Sequence, residues 1–249
     1  MKTTYDSIYL APHLDDAVLS CGGQIFEETR RGQAVLVVTV MAGDPPPNVS
    51  GYAQSLHSRW ELPEETATAR RREDLAACAL LGADALHWPV PDCIYRTAPA
   101  NGTPMYLSDE DIFGEIHPAD APLVKELTGR LAALPPANRI VAPLTVGHHV
   151  DHQLVRQAAE RHFGHRLEFF EDFPYVQTER SLDFLQNSGQ PNWQAEVSPV
   201  SDAALCARIE AVLAYKSQLS TFFTDRADLE RQVFGYARRI GGERIWRQL

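Results

Sequence analysis

The stretch SIYLAPHLDDAVLSCGG, Ser7 to Gly23, decides how the rest of the chain is read. Its first five residues, Ser7–Ala11, form an apolar run that predicts a buried strand, and from about Asp16 to Arg31 the spacing predicts a helix. His13, Asp15 and Asp16 stand at the corner between them. An aspartate in that position is ordinarily a helix N-cap, so Asp15 or Asp16 alone calls for no chemistry.

Working outward, the same unit recurs. AVLVVTVMA (Ala34–Ala42) is β-branched and uncharged, the pattern of a strand buried on both faces. A helix over roughly Pro63–Leu81 stops at Gly82, and ALHWPV follows as a short strand. RIVAPL (Arg139–Leu144) leads to a helix over about Val150–Phe163 and then to a strand LEFFED (Leu167–Asp172). Strand-like AEVSPV and helical segments Asp202–Ser220 and Asp228–Arg239 close the chain. Strands alternating with helices predict an α/β fold, a mostly parallel sheet with helices on both faces. No internal repeat or composition shift divides residues 1–249, so a single domain is expected, with long loops near 44–58 and 91–121.

The 249 residues suffice for one sizeable core, and 44% apolar with 22% charged residues is ordinary for a globular protein. With 33 acidic against 23 basic residues and a net charge of -10, the chain has no general attraction to nucleic acid or to an anionic membrane. Cys21, Cys78, Cys93 and Cys206 form no CxxC pair, which argues against a cysteine-rich zinc module or a disulfide scaffold. The N-terminal residues Met1–Asp6 lead straight into the first strand without a long apolar segment. The expectation is a cytoplasmic protein without a membrane span. Oligomeric state is not legible.

In open parallel sheets, ligands bind beyond the carboxyl ends of the strands. Three polar clusters fall there: His13/Asp15/Asp16, then His148, His149, Asp151 and His152, and finally Glu171/Asp172. A catalytic zinc takes three nitrogen or oxygen ligands and keeps one position open. His13 and Asp16 with one histidine of the pair His149/His152 would supply that set, the other histidine facing substrate. Asp15 would then be a carboxylate placed as a general base. His57, His87, His117, His162 and His165 read as structural or surface residues. Gly22-Gly23 lacks a nucleotide-binding glycine pattern and reads as close helix packing.

These segments resemble those of the PIG-L / LmbE-like de-N-acetylase family. PHLDDAVLSCGG resembles its (A/P)-H-P-D-D motif, HVDH (His149–His152) its H-x-D-H motif, and RRREDLAACALLGAD (Arg70–Asp84) its R-x-x-E helix. FFEDFPY (Phe169–Tyr175) and AYKSQL (Ala214–Leu219) resemble two further segments, in family order. The resemblance implies a Rossmann-like fold and a zinc-dependent amidohydrolase that removes acetyl from an N-acetyl-amino sugar, with a small sugar or glycoconjugate as substrate. It implies His13, Asp16 and His152 as zinc ligands, Asp15 as the base, His149 as oxyanion stabiliser and Arg70 as a substrate contact. Glu73, Glu171 and Asp172 are expected to support the ligating histidines. Leu14 replaces the family's proline, which implies at most a looser turn and leaves the metal ligands in place.

Two other functions fit the same pattern less fully. One is an amidase for a larger amide, such as a thiol–sugar conjugate or a lipoglycopeptide. The other is a non-catalytic Rossmann-type ligand-binding domain. Arg71 and Arg72 read as a solvated helix face, and Trp60, Trp88, Tyr52, Tyr95 and Tyr106 as packing or sugar-stacking aromatics near the long loops.

Overall fold

The computed structural model describes residues 1–59, 66–186 and 192–249. In chain order these form β1 (Tyr5–Ala11), α1 (Asp16–Arg30), β2 (Val35–Thr39), α2 (Gly51–Arg59), α3 (Thr66–Leu80) and β3 (Asp84–His87). Then come α4 (Asp109–Ile112), α5 (Leu123–Leu131), β4 (Ala137–Pro143), α6 (Val150–Phe163), β5 (Leu167–Phe170) and β6 (Trp193–Ser198). Helices α7 (Asp202–Val212), α8 (Leu219–Phe222) and α9 (Arg226–Ile240) precede β7 (Glu243–Gln248).

The strands form one seven-stranded sheet in the order β3-β2-β1-β4-β5-β7-β6. The first five run parallel, with Ile8 opposite both Leu36 and Ile140, and β7 pairs antiparallel with β5 and β6. Every residue of β2 and β5 is buried, in keeping with sequences that are apolar except for Thr39 and Glu168. The helices pack around the sheet in two groups, α1 with α3, α7 and α9, and α5 with α6. From β1 the chain moves one way to β2 and β3, then crosses back to β4 on the other side of β1. The corners after β1 and β4 therefore flank the topological switch point, where a ligand crevice opens.

Three elements differ from the sequence reading. Helix α2 occupies much of the expected 44–58 loop, and α4 with a 3₁₀ turn at Cys93–Tyr95 interrupts the 91–121 loop. These two stretches share a small core of Ala53, Leu56, Cys93, Ile94, Tyr95, Tyr106 and Ile112 that also takes in Val150 at the head of α6. Strand β7 has no apolar run. Its Glu243 is 2% exposed, yet accepts from the Gly23 and Gln24 amides at 3.0 and 2.8 Å and from Arg208 Nη1 at 3.0 Å. The expected start of the helix at Pro63, and Trp60, lie outside the described residues.

Gly22 and Gly23 are packing residues. A Cβ at Gly22 would meet Arg208 Cγ at 2.7 Å, and one at Gly23 would meet Glu243 Oε1 at 2.6 Å. Among the described residues, no helix is long and apolar enough to cross a membrane.

Candidate active site

The corner after β1 carries His13, Asp15 and Asp16. Asp15 sits at the N-cap of α1 but makes no side-chain cap hydrogen bond, so capping does not account for it. Asp16 Oδ2 accepts from the His13 amide at 2.7 Å, which folds the turn back on itself. Leu14 is only 3% exposed, so this turn is anchored by burial rather than by proline's fixed φ. The expected looseness finds no support there.

The corner after β4 passes through Thr145, Gly147 and His148, all at positive φ, before α6 begins. His149 is the N-cap residue, its Nδ1 accepting from the Asp151 amide at 3.2 Å. His152 lies in the first turn, and the rings of His149 and His152 are 5.3 Å apart. The corner after β5 supplies Asp172, whose Oδ1 bonds His152 Nδ1 at 2.6 Å and whose Oδ2 accepts from the Val146 amide at 2.7 Å.

The three corners meet. Asp16 Oδ2 is 3.5 Å from His13 Nδ1 and 3.4 Å from His152 Nε2. Both separations are close to the roughly 3.4 Å expected between donor atoms that share one zinc ion. The remaining nitrogen of each imidazole faces a carboxylate: His13 Nε2 lies 3.0 Å from Asp151 Oδ2, and His152 Nδ1 bonds Asp172. Metal-ligating histidines are ordinarily oriented this way. Donor atoms of His13, His149 and His152 also lie within 4.8 Å of one another, as do those of Cys93, His149 and Asp151 and of His13, Asp92 and Asp151. This is the donor composition of a metal-ion site.

The two adjacent aspartates are electrostatically unlike. Burial, and then the neighbouring Asp16 carboxylate, push Asp15 up to about 7 against the pull of Arg70. Burial would raise Asp16 as well, but His152 and His13 beside it hold its carboxyl below the usual range. Burial, then the His13 charge, keep His149 well below an ordinary histidine, so its imidazole is neutral. With Nδ1 accepting from a backbone amide, the His149 proton resides on Nε2.

His13, Asp15, Asp16, Arg70, His149 and His152 all line one cavity of about 290 Å³. Arg70, 8% exposed on α3, brings Nη2 to 3.9 Å from Asp15 Oδ2. Of the three acids expected to support histidines, only Asp172 does so. Glu73 instead binds the Ser217 amide and hydroxyl at 3.1 and 2.6 Å, tying α3 to the segment before α8. Glu171 faces away from the cavity, taking bonds from Tyr236 and, at 2.7 Å, from Trp246 Nε1. Arg71 is only partly solvated, donating to the Ala42 carbonyl at 2.8 Å and to Asp44 at 2.7 Å, while Arg72 is exposed.

The sequence reading gave no role to Asp151, Asp92 or Arg96, nor to the cavity aromatics Phe113, Tyr175 and Phe222. Asp151 lies inside HVDH and was within reach of that reading. Asp92, Arg96 and Phe113 sit in the long 91–121 segment, while Tyr175 opens a 3₁₀ turn and Phe222 ends α8; only the fold assembles them. Phe113 contacts both His149 and Tyr175, and Tyr175 contacts Phe222, with centroids at 5.3, 6.0 and 6.0 Å.

The profile of the family described as PIG-L, GlcNAc-PI de-N-acetylase, matches residues 8–163. A 2'-N-acetylparomamine deacetylase of Niallia circulans is 30% identical over 244 residues, covering 89% of this chain and 83% of that protein. A teicoplanin deacetylase, solved in a zinc-inhibited form, superposes with a TM-score of 0.78 at 27% identity over 97% of each chain. An A40926 pseudoaglycone deacetylase gives a TM-score of 0.76 at 28% identity, over 98% of this chain and 97% of its own.

Proposed function

The chain belongs to the PIG-L (GlcNAc-PI de-N-acetylase) family, and on that premise we propose that it hydrolyses the N-acetyl group of an amino sugar, or of a glycoconjugate carrying one, with zinc held by His13, Asp16 and His152. The observation that carries this reading is the convergence of Asp16 Oδ2 with His13 Nδ1 and His152 Nε2, each imidazole braced from behind by a carboxylate. Held by these residues, such an ion would lower the pKa of a bound water from 15.7 toward about 7 and polarise the amide carbonyl.

The remaining chemistry belongs to the chain. Asp15 takes a proton from the attacking water as the new C–O bond forms. The same proton then goes to the departing nitrogen as the C–N bond breaks, releasing acetate and a free amine. Its raised affinity for a proton suits both halves of that transfer. His149, neutral with its proton on Nε2, donates to the amide oxygen as negative charge develops there. Arg70 keeps a positive charge near Asp15 and contacts the sugar.

The cavity is at the small end of the usual ligand-site range of about 300–1,000 Å³, which favours one sugar ring at the reacting position. A panel of N-acetyl sugars, free, nucleotide-linked, lipid-linked and oligomeric, scored for acetate against larger acids, tests the assignment. Release of a longer acid with no acetate would move it to the larger-amide reading.

A further inference from the structure

Asp151 is completely buried and moves no proton in the scheme above. Its Oδ2 accepts from the Cys93 amide at 3.0 Å and lies 3.0 Å from His13 Nε2. Its Oδ1 is 2.7 Å from Arg96 Nη1. A carboxylate so far from water needs a partner cation, and Arg96 is that partner.

Arg96 follows the 3₁₀ turn of the 91–121 loop, is 8% exposed, and is held on several sides. Its Nε and Nη2 fork onto Asp120 at 3.0 and 2.7 Å, and Nη1 donates to the Pro91 carbonyl at 3.0 Å. The guanidinium lies 5.6 Å from the Tyr106 ring centroid, while Tyr106 Oη donates to Asp120 Oδ2 at 2.9 Å and accepts from the His117 amide at 3.0 Å. Only a planar guanidinium can fork onto one carboxylate while meeting a second with its other edge.

We propose that Arg96 is a positioning residue for the metal centre: braced by Asp120, it fixes Asp151, and Asp151 fixes His13 with Nε2 turned back and Nδ1 turned toward Asp16. The inference rests on the reading of His13 as a metal ligand. It makes the 91–121 loop part of the apparatus that sets metal affinity, although no residue of the Asp120–Arg96 pair is a ligand.

The test is zinc binding by chelator-treated protein, measured by competition with a chromophoric chelator, together with the visible spectrum of the Co²⁺ form. Arg96→Ala should bind zinc about 10- to 100-fold more weakly and change the Co²⁺ bands, as loss of an outer support does elsewhere. Arg96→Lys should recover part of the affinity, because it restores the charge without the fork. Asp120→Asn should shift binding in the same direction by less, and these two milder variants carry the test if Arg96→Ala does not fold. Folded variants with wild-type affinity and spectrum overturn the inference while leaving the function intact. Wild-type zinc binding that is unchanged by His13→Ala instead removes His13 as a ligand, and this inference with it.

Discussion

His152 and Asp172 are joined through Nδ1 and Oδ1 at 2.6 Å, with the second oxygen of the same carboxylate held by the Val146 amide. One acid thus orients an imidazole and ties down the turn that precedes it. Asp172→Asn should weaken zinc binding about 10- to 100-fold while the protein stays folded. Competition against a chelator of known affinity reads this directly. Unchanged affinity would remove Asp172 from the metal apparatus.

Asp15 behaves oppositely. It lies 5% exposed beside Asp16, without a cap bond, so its carboxylate is an electrostatic burden on the fold. Asp15→Ala should keep its zinc, melt no lower than wild type, and lose about 10²- to 10⁴-fold in kcat. Metal analysis, a melting curve and initial rates on one preparation check all three. An active variant would eliminate Asp15 as the base.

Glu171 adjoins Asp172 in sequence but ties the end of β5 to α9 and β7, bonding Tyr236 and Trp246. Glu171→Gln should cost about 1.5–3 kcal/mol in denaturant unfolding, since charged acceptors make the stronger bonds. Its zinc affinity should match wild type. A metal defect without a stability defect would reverse the roles assigned to these neighbours.

At Gly22, α1 approaches the Arg208 side chain too closely for a Cβ. Gly22→Ala should destabilise the fold by about 1–3 kcal/mol through overpacking, with Arg208→Lys giving partial relief in the double variant. Chemical denaturation of the two single variants and the double variant measures the coupling.

The parallel half of the sheet was legible because β1 and β2, and the far half of β4, are buried and so carry apolar runs. Strand β7 was not legible. Its buried Glu243 is offset by Gly23, Gln24 and Arg208, partners far away in sequence whose proximity no local pattern reveals. Helix α2 was hidden behind three consecutive prolines, which read as loop. The histidines and aspartates of the cavity announced themselves by standing at strand ends. Arg96 and Asp120 did not, because a charged residue in an aperiodic loop looks solvated until the fold buries it against Asp151. The error over Glu171 has a similar origin: adjacent residues leaving a strand point to opposite sides, and the sequence alone does not say which one faces the site.

The most direct test of the central claim is acetate release from 2'-N-acetylparomamine and N-acetylglucosamine conjugates, followed before chelation, after chelation and after zinc is restored. The account predicts release of acetate and free amine that chelation abolishes and zinc restores, and that His152→Ala lacks throughout. Acetate release that persists without metal, or a zinc-loaded protein that deacetylates no amino sugar, would contradict it.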